Sequence, residues 1–600
     1  MGPFPSYKWD KLKKDAAGMA QSPGINLTGW RRTGNRLYAA LAGLGGHPAV
    51  LRDLPGPRSI GSVQIGQDFI EGNFKFAGRL VMAPGASVWD IRAPDDAFLA
   101  DMHGFGWLDH LMALASRTAR QRAQLWVNEW IGSYGGGHGL AWAPEVAARR
   151  VMRWLHHYDD LVRRLPRGQR RLFDQSIARH AAYLRRRWKL ASGALGRIEA
   201  LAALALLRRV LEGRDGIRVD CGAAILKELD RVTDRTGAIA SRSPEALLKL
   251  LNLCVWAQED LLACKQPVSD EFAGWIAAMG RLLRSLRHSD GRLARFQGGG
   301  SGAVYGLDQA LAASGAKGLE PDGGMGFVRM ASGRSSVIVD AAAPAKDAAS
   351  FNAHASTLAF ELTSGRRPVI VSCGAGAPFG PEWRKAGRAT PSHSVLGLDG
   401  YSSSRPGRTR EVMGQKREPM DSRPQDVPVH FERHLDYLRI EASHDGYLRS
   451  HGLLQGRALE LTIDGSGIAG EEVLLSEGKT AQAQFDKVVD KMKGGGVPFT
   501  LRFHVHPSIE IRREPDMSGL LFDIGNGETW AFRHDGTCKI AVESSVYLEE
   551  EALRPTATKQ VVLSGAAMSY TTRVRWSLAK TPESRKGIRD MAGLEADQSV

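Results

Sequence analysis

Cysteine is scarce in this chain: Cys221, Cys254, Cys264, Cys373 and Cys538 are spread over 600 residues. An odd, sparse set excludes a disulfide scaffold, and without a CxxC pair there is no zinc ribbon. No apolar run reaches the roughly 18 residues that a membrane-spanning helix needs, so no membrane span is expected. The opening MGPFPSYKWDKLKKDAAGMAQ has no apolar h-region, so no signal peptide is readable. Short repeats of the solenoid type are also missing.

What is present is a large and basic globular chain. Hydrophobic residues make up 43%, enough to bury real cores and too much for a disordered polymer. The length implies roughly two to four domains. A formal net charge of +15 favours an acidic partner, whether nucleic acid, anionic lipid or acidic polysaccharide. The excess is scattered in short clusters such as Arg185-Arg186-Arg187, so charge alone does not choose. Basic and aromatic residues do not interleave as in nucleic-acid-binding modules, so no nucleic-acid partner is expected.

The texture of the sequence changes twice. Residues 1–92 are mixed, with a helix-like stretch around Trp30 to Leu44. Alternating segments (GSVQIGQDF, FKFAGRLVMA) then read as a short β-hairpin region. From 93 to 315, apolar residues recur at three- and four-residue steps between short Gly, Pro and Asp breaks, as in APEVAARRVMRWLHHYDDLV and ALLKLLNLCVWAQEDLL. This predicts amphipathic helices paired antiparallel. From 316 to 582 come short strand-like runs such as SSVIVDAA, PVIVSCG and FTLRFHVHPS, separated by turn residues at sandwich-like spacing. Residues 583–600 read as a polar tail. Helices first and strands afterwards predict two segregated domains, not βαβ units.

The most informative segment runs Phe351-Asn-Ala-His-Ala-Ser-Thr-Leu-Ala-Phe-Glu-Leu362, then Arg367-Pro-Val-Ile-Val-Ser-Cys-Gly374, Glu382-Trp-Arg384 and Arg388-Ala-Thr-Pro-Ser-His393. It resembles the signature that opens the β-domain of heparinase II/III-like polysaccharide lyases: H-x-H-x-D-x-L-x-F-x-L, a strand ending V-D-P-G, then W-R and R-x-T-x-x-H-N. Gly139-Leu-Ala-Trp-Ala-Pro144, Ser241-Arg-Ser-Pro244, Arg287-His-Ser-Asp-Gly291, Ser443-His-Asp-Gly-Tyr447 and Glu543-Ser-Ser-Val-Tyr547 are similar to further family motifs and occur in the same order. The resemblance covers residues 85 to 580. It implies an α+β multidomain fold, an N-terminal (α/α) toroid followed by a C-terminal antiparallel β-sandwich. It also implies a carbon-oxygen lyase that cleaves an acidic, uronic-acid-containing polysaccharide by β-elimination in a cleft between the two. Such chemistry needs a donor to neutralise the uronate, a base to take the neighbouring proton and an acid for the leaving oxygen.

The sequence departs from the pattern at chosen places. Asn352 stands where the family has its first, catalytic His, and is expected to neutralise a carboxylate or to cap a turn. Ser372 replaces the Asp of V-D-P-G, and the helix start at Ser241 carries no match for the catalytic Tyr. His354 and His393 occupy positions that hold a structural zinc in relatives. With Cys373 as a third ligand they predict such a site, the alternative being two buried, hydrogen-bonded histidines beside a small apolar Cys. Tyr134 and His138, in a glycine-rich loop, are expected to exchange protons, with Trp142 as a stacking platform or else a core residue. Tyr447 is the remaining candidate for acid/base work or a packing Tyr. Arg149, Arg242, Arg384 and Arg388 are expected to bind carboxylate or sulfate, or to form ion pairs. His504 and His506 share one strand face and read as structural. Two functions stay open: a lyase, or a non-catalytic protein that binds acidic glycan or assists polysaccharide assembly. The family points to the cell envelope or periplasm, and the unreadable signal peptide to the cytoplasm. Oligomeric state is not legible.

Overall fold

The computed structural model describes residues 29–584 apart from 44–47, 213–216, 303–305, 321–323, 413–414, 515–518, 526 and 583. The opening 28 residues and the expected tail from 585 onward lie outside the described residues. Among those described, no helix is long and apolar enough to cross a membrane.

The first half is helical. Pro144–His156, Gly193–Val210 and Pro244–Ala263 pack side by side in its centre. Pro244–Ala263 starts on Pro at its first turn, where a missing N–H costs nothing, and Leu247, Leu248, Leu250 and Leu251 are all buried. A helix that is apolar around its circumference belongs inside a ring of others. Outer helices such as Arg117–Tyr134 and Arg167–Arg187 bury one face only. Ser116 caps the former by accepting the Ala119 N–H at 3.1 Å.

One local expectation is corrected. GSVQIGQDF, read as a strand, forms the helix Val63–Glu71. Ser62 caps it, Gly72 ends it in the left-handed conformation (φ 83°), and capping outweighed a short alternating pattern. Only the second segment forms the hairpin, Asn73–Phe76 against Arg79–Met82.

The second half is a sandwich of two antiparallel sheets. One runs in the spatial order Val429–Arg433, Tyr437–Tyr447, Leu453–Thr462, Gly467–Leu475, Thr571–Lys580, Glu528–His534, Leu520–Gly525, Glu510–Arg513. The other runs Lys539–Tyr547, Thr556–Ala567, Val497–Val505, Arg367–Val371, Phe360–Ser364, Ser335–Asp340, Phe327–Ser332, with Leu396–Leu398 also paired to Val497–Val505. Leu453–Thr462 alternates buried and half-buried residues without a break, as a strand with one face on a core must. The inner faces meet through aromatics. Trp576 of the first sheet lies 5.5 Å from Phe360 and 4.8 Å from Phe503 of the second, centroid to centroid. An unexpected helix, Lys479–Lys491, covers part of this half.

Toroid and sandwich share a buried seam. Phe296 stacks on Phe327 at 5.6 Å. Arg242 crosses from the helical half to pair with Asp340 and donates to the carbonyls of Met325, Gly326, Ala342 and Ala343. Arg295 donates its backbone N–H to Glu361 at 3.0 Å and its guanidinium to the carbonyls of Cys373 and Leu548. Lys75 of the hairpin reaches the carbonyls of Glu550 and Ala552 at 3.1 and 2.6 Å. The seam is thus made of cations from the first half and carbonyls and carboxylates from the second.

Candidate functional site

The signature segment folds as a turn, Asp347 to Thr357, which leads into the strand Phe360–Ser364, and as the short helix Pro381–Gly387 that packs over it. This brings Asn352, His354, Arg384, Arg388 and His393 into one region beside the seam. Asn352 is half-buried, and its carboxamide oxygen accepts from Arg384 at 3.1 Å. Arg384 also donates to the Phe351 carbonyl. From the toroid, Gly298 lies against Asn352: a Cβ there would come within 2.6 Å of the Asn352 carbonyl, and its φ of 75° is itself a glycine conformation. Gln297 beside it accepts the His354 N–H at 3.2 Å and donates to Asp340 and Ser356. Sequence reading missed this approach; the glycine run after Gln297 is the feature that permits it.

The region is electropositive. Arg388 donates to the carbonyls of Ala353, Ser350 and Glu418. Burial, and then repulsion from Arg384, push its pKa down to about 10. Arg417, whose guanidinium sits 5.4 Å from the Phe351 ring, is lowered to about 10 by burial and by the same Arg384. Arg384 is lowered by burial, against a smaller opposing effect of Glu418. Guanidinium groups held close enough to depress one another form a place where an anion lowers the energy.

Beneath them lie His354 and His393, both buried, with ring centroids 5.2 Å apart. His393 Nδ1 bonds the Ser372 hydroxyl at 3.1 Å, and among the described residues His354 Nδ1 has no hydrogen-bond partner. Burial pushes His393 down to about 3 and His354 well below its ordinary value, so both are neutral imidazoles at pH 7.

The expected third metal ligand is elsewhere. Cys373 Sγ lies 3.6 Å from His504 Nδ1 and 3.8 Å from Ser545 Oγ. Burial would raise its thiol pKa, but His504, Ser545 and Arg295 together lower it. Among the described residues, no three His, Cys, Asp or Glu come together so as to hold a metal ion. The expected set of His354, Cys373 and His393 therefore does not fit a four-coordinate structural zinc.

Several other expected roles are corrected by burial. Trp142 is fully buried; its indole donates to the Tyr134 carbonyl at 2.8 Å and its ring stacks on His180. It is a core residue and offers no sugar platform. Tyr447 is fully buried at a strand end, and burial raises its pKa, so its phenol cannot meet a polymer in solvent. Arg242 is consumed by the seam described above. Arg149 is held by Glu199 at 2.9 to 3.2 Å. Tyr134 is half-buried among Trp89, His103 and Trp130, and His138 is exposed. Their loop is packed by other helices: Gly137 lies against Arg36 and Ala39, and Arg179 donates to the Gly135 carbonyl. The Asn352 region draws its toroid contacts from Gln297 and Gly298 instead.

A helical half sealed onto a two-sheet antiparallel sandwich is a fold that this chain shares with solved heparinase structures. Residues 319–577 match the family model described as Heparinase II/III-like, C-terminal. Among solved structures, Heparinase III superposes with a TM-score of 0.61 at 12% identity, covering 92% of this chain and 89% of that one. A mutant of heparan sulfate lyase HepC from Pedobacter heparinus gives 0.51 at 11%, covering 94% and 93%. At these identities the likeness is one of fold. FtsZ-localized protein C of Caulobacter vibrioides is 26% identical over 590 residues, covering 95% of this chain and 96% of that protein.

Proposed function

We propose that this protein uses the lyase fold to bind and not to cut, and that it works beside FtsZ, as the name of its Caulobacter relative says of that protein. The observation that carries this reading is the state of the site. The position of the family's first histidine is Asn352, a group that cannot take a proton, and its oxygen is tied to Arg384. The tyrosine expected to stand in, Tyr447, is sealed in the core. β-Elimination needs a base and an acid within reach of one sugar, and among the described residues no hydrogen bond or ring contact brings the expected candidates Tyr134, His138 or Tyr447 to Asn352. The near end-to-end match to a protein named for its location supports a shared role for the whole chain. A place beside FtsZ is a cytoplasmic one.

The test has two arms. The purified chain should sediment with polymerised FtsZ from the same organism, and a fluorescent fusion should form a band at the division plane. Incubated with a panel of uronic-acid polymers, it should leave ultraviolet absorbance at the unsaturated-product band flat. Diffuse fluorescence with no co-sedimentation removes the FtsZ reading, and rising absorbance restores catalysis.

A second reading is favoured by the cluster of Arg384, Arg388 and Arg417: the region binds an acidic glycan without cleaving it. Arg384→Ala would then weaken retention on an immobilised uronic-acid polymer by roughly tenfold or more, in line with a charge-assisted contact of about 1.5–3 kcal/mol. Equal retention of both forms would dismiss it.

A further inference from the structure

We infer that the sandwich of this protein is built without zinc, and that the carboxylate missing at position 372 is the reason. Relatives hold a structural zinc with a His/Asp/His set, and this chain keeps both histidines, His354 and His393. At the position of the Asp it has Ser372, fully buried, whose hydroxyl bonds His393 Nδ1 at 3.1 Å. A structural zinc needs a closed shell of about four ligands with anionic character to offset a buried dication. Two imidazoles and a hydroxyl do not supply it.

Among the described residues no neighbour makes up the deficit. Cys373, next in sequence, is turned to His504 and Ser545. The nearby carboxylate is Glu361, and its oxygens are already engaged. One accepts the Ser372 N–H at 3.1 Å; the other accepts the Arg295 N–H at 3.0 Å and lies 3.5 Å from His288. The residues flanking His354 in sequence are held by two cations: Arg384 donates to Asn352 and Arg388 to the Ala353 carbonyl. A cation placed here would meet like charge on one side and committed hydrogen bonds on the other. The turn is held in another way: the His354 N–H is fixed by Gln297, Ser356 by Asp340, and Arg388 pins the Ser350 and Ala353 carbonyls. Those bonds position the loop that a metal would otherwise organise.

The experiment is metal analysis of the full-length chain purified after expression in zinc-supplemented medium, beside Ser372→Asp prepared identically. The wild-type protein should carry no zinc above a control protein that binds none, and a chelator should leave its melting midpoint unchanged. Ser372→Asp should retain close to one zinc per chain, and its midpoint should fall when the chelator is added. Stoichiometric zinc in the wild type, lost to the chelator together with stability, would overturn the inference. A folded Ser372→Asp protein that stays metal-free would overturn the assignment of the defect to position 372. If that variant does not fold, the wild-type measurement still decides the first claim.

Discussion

Single residues in this chain are governed by where burial leaves their charge. His393 is buried and hydrogen-bonded to Ser372, and its pKa is depressed to about 3 from an ordinary 6.5; His103, in the helical half, is depressed to a similar value. The unfolded chain therefore binds protons at these groups below pH 6.5 while the folded chain does not. Stability is full above the unfolded pKa and falls as pH drops from about 6.5 toward 3, by about 1.4 kcal/mol per pH unit for each such group. Urea titrations at pH 7, 6 and 5 should show this slope, and His393→Gln should make it shallower. A midpoint insensitive to pH across that window would refute the assignment of buried neutral histidines. The same residue-scale argument explains why the arginines divided as they did. Arg242 and Arg149 found carboxylates, Asp340 and Glu199, whereas Arg384 and Arg388 found carbonyls and each other. Sequence reasoning had grouped all four, because a guanidinium carries the same charge whichever partner folding supplies.

At the scale of elements, the glycine-rich connection after helix Arg117–Tyr134 shows how a loop that reads as functional becomes structural. The turn Gly139–Trp142 folds back so that Trp142 enters a cluster with Trp130, His180 and Tyr183, and Tyr183 donates to the Trp142 carbonyl. Trp142→Ala should cost about 3–5 kcal/mol through lost burial and the cavity left behind, read as a lower denaturation midpoint for the helical half. Its effect on binding to FtsZ or to a glycan should be no larger than its effect on stability predicts. A variant as stable as wild type but defective in binding would return Trp142 to the site. Helical periodicity had identified the long helices, and alternation had identified strands such as Ser335–Asp340 and Val497–Val505, since those signals follow from one face being buried. GSVQIGQDF misled because in nine residues an alternating pattern and a helical one differ by one or two positions, and the caps Ser62 and Gly72 decided. Lys479–Lys491 went unnoticed inside a strand-rich half: its buried residues are Ala481, Phe485 and Val488, a narrow apolar stripe in a polar helix.

For the whole molecule, the seam is the feature that matters. Arg295 reaches from the end of the toroid to the Glu361, Cys373 and Leu548 positions of the sandwich, with its guanidinium 4.0 Å from the Tyr547 ring. With Arg242 and Lys75 it ties the two halves together, and the two are expected to unfold as one. Arg295→Ala removes the donor to the buried Leu548 carbonyl, at about 1–3 kcal/mol, while the Cys373 carbonyl keeps the Leu548 N–H. Calorimetry should then resolve two transitions where the wild type shows one, and an unsplit, unshifted transition would exclude this role.

The sequence alone determined the order of helical and strand-rich halves, the toroid-and-sandwich class and the position of the signature segment. Each is written in local periodicity or in motifs spaced along the chain. It also located the changes at Asn352 and Ser372. Only the tertiary structure decided which side chains meet: that Cys373 belongs to His504, that Trp142 and Tyr447 are sealed in, and that Gln297 and Gly298 face Asn352. Those outcomes depend on contacts between residues dozens to hundreds of positions apart, and on how much water each group loses when the two halves close. Neither quantity is encoded in a residue and its neighbours.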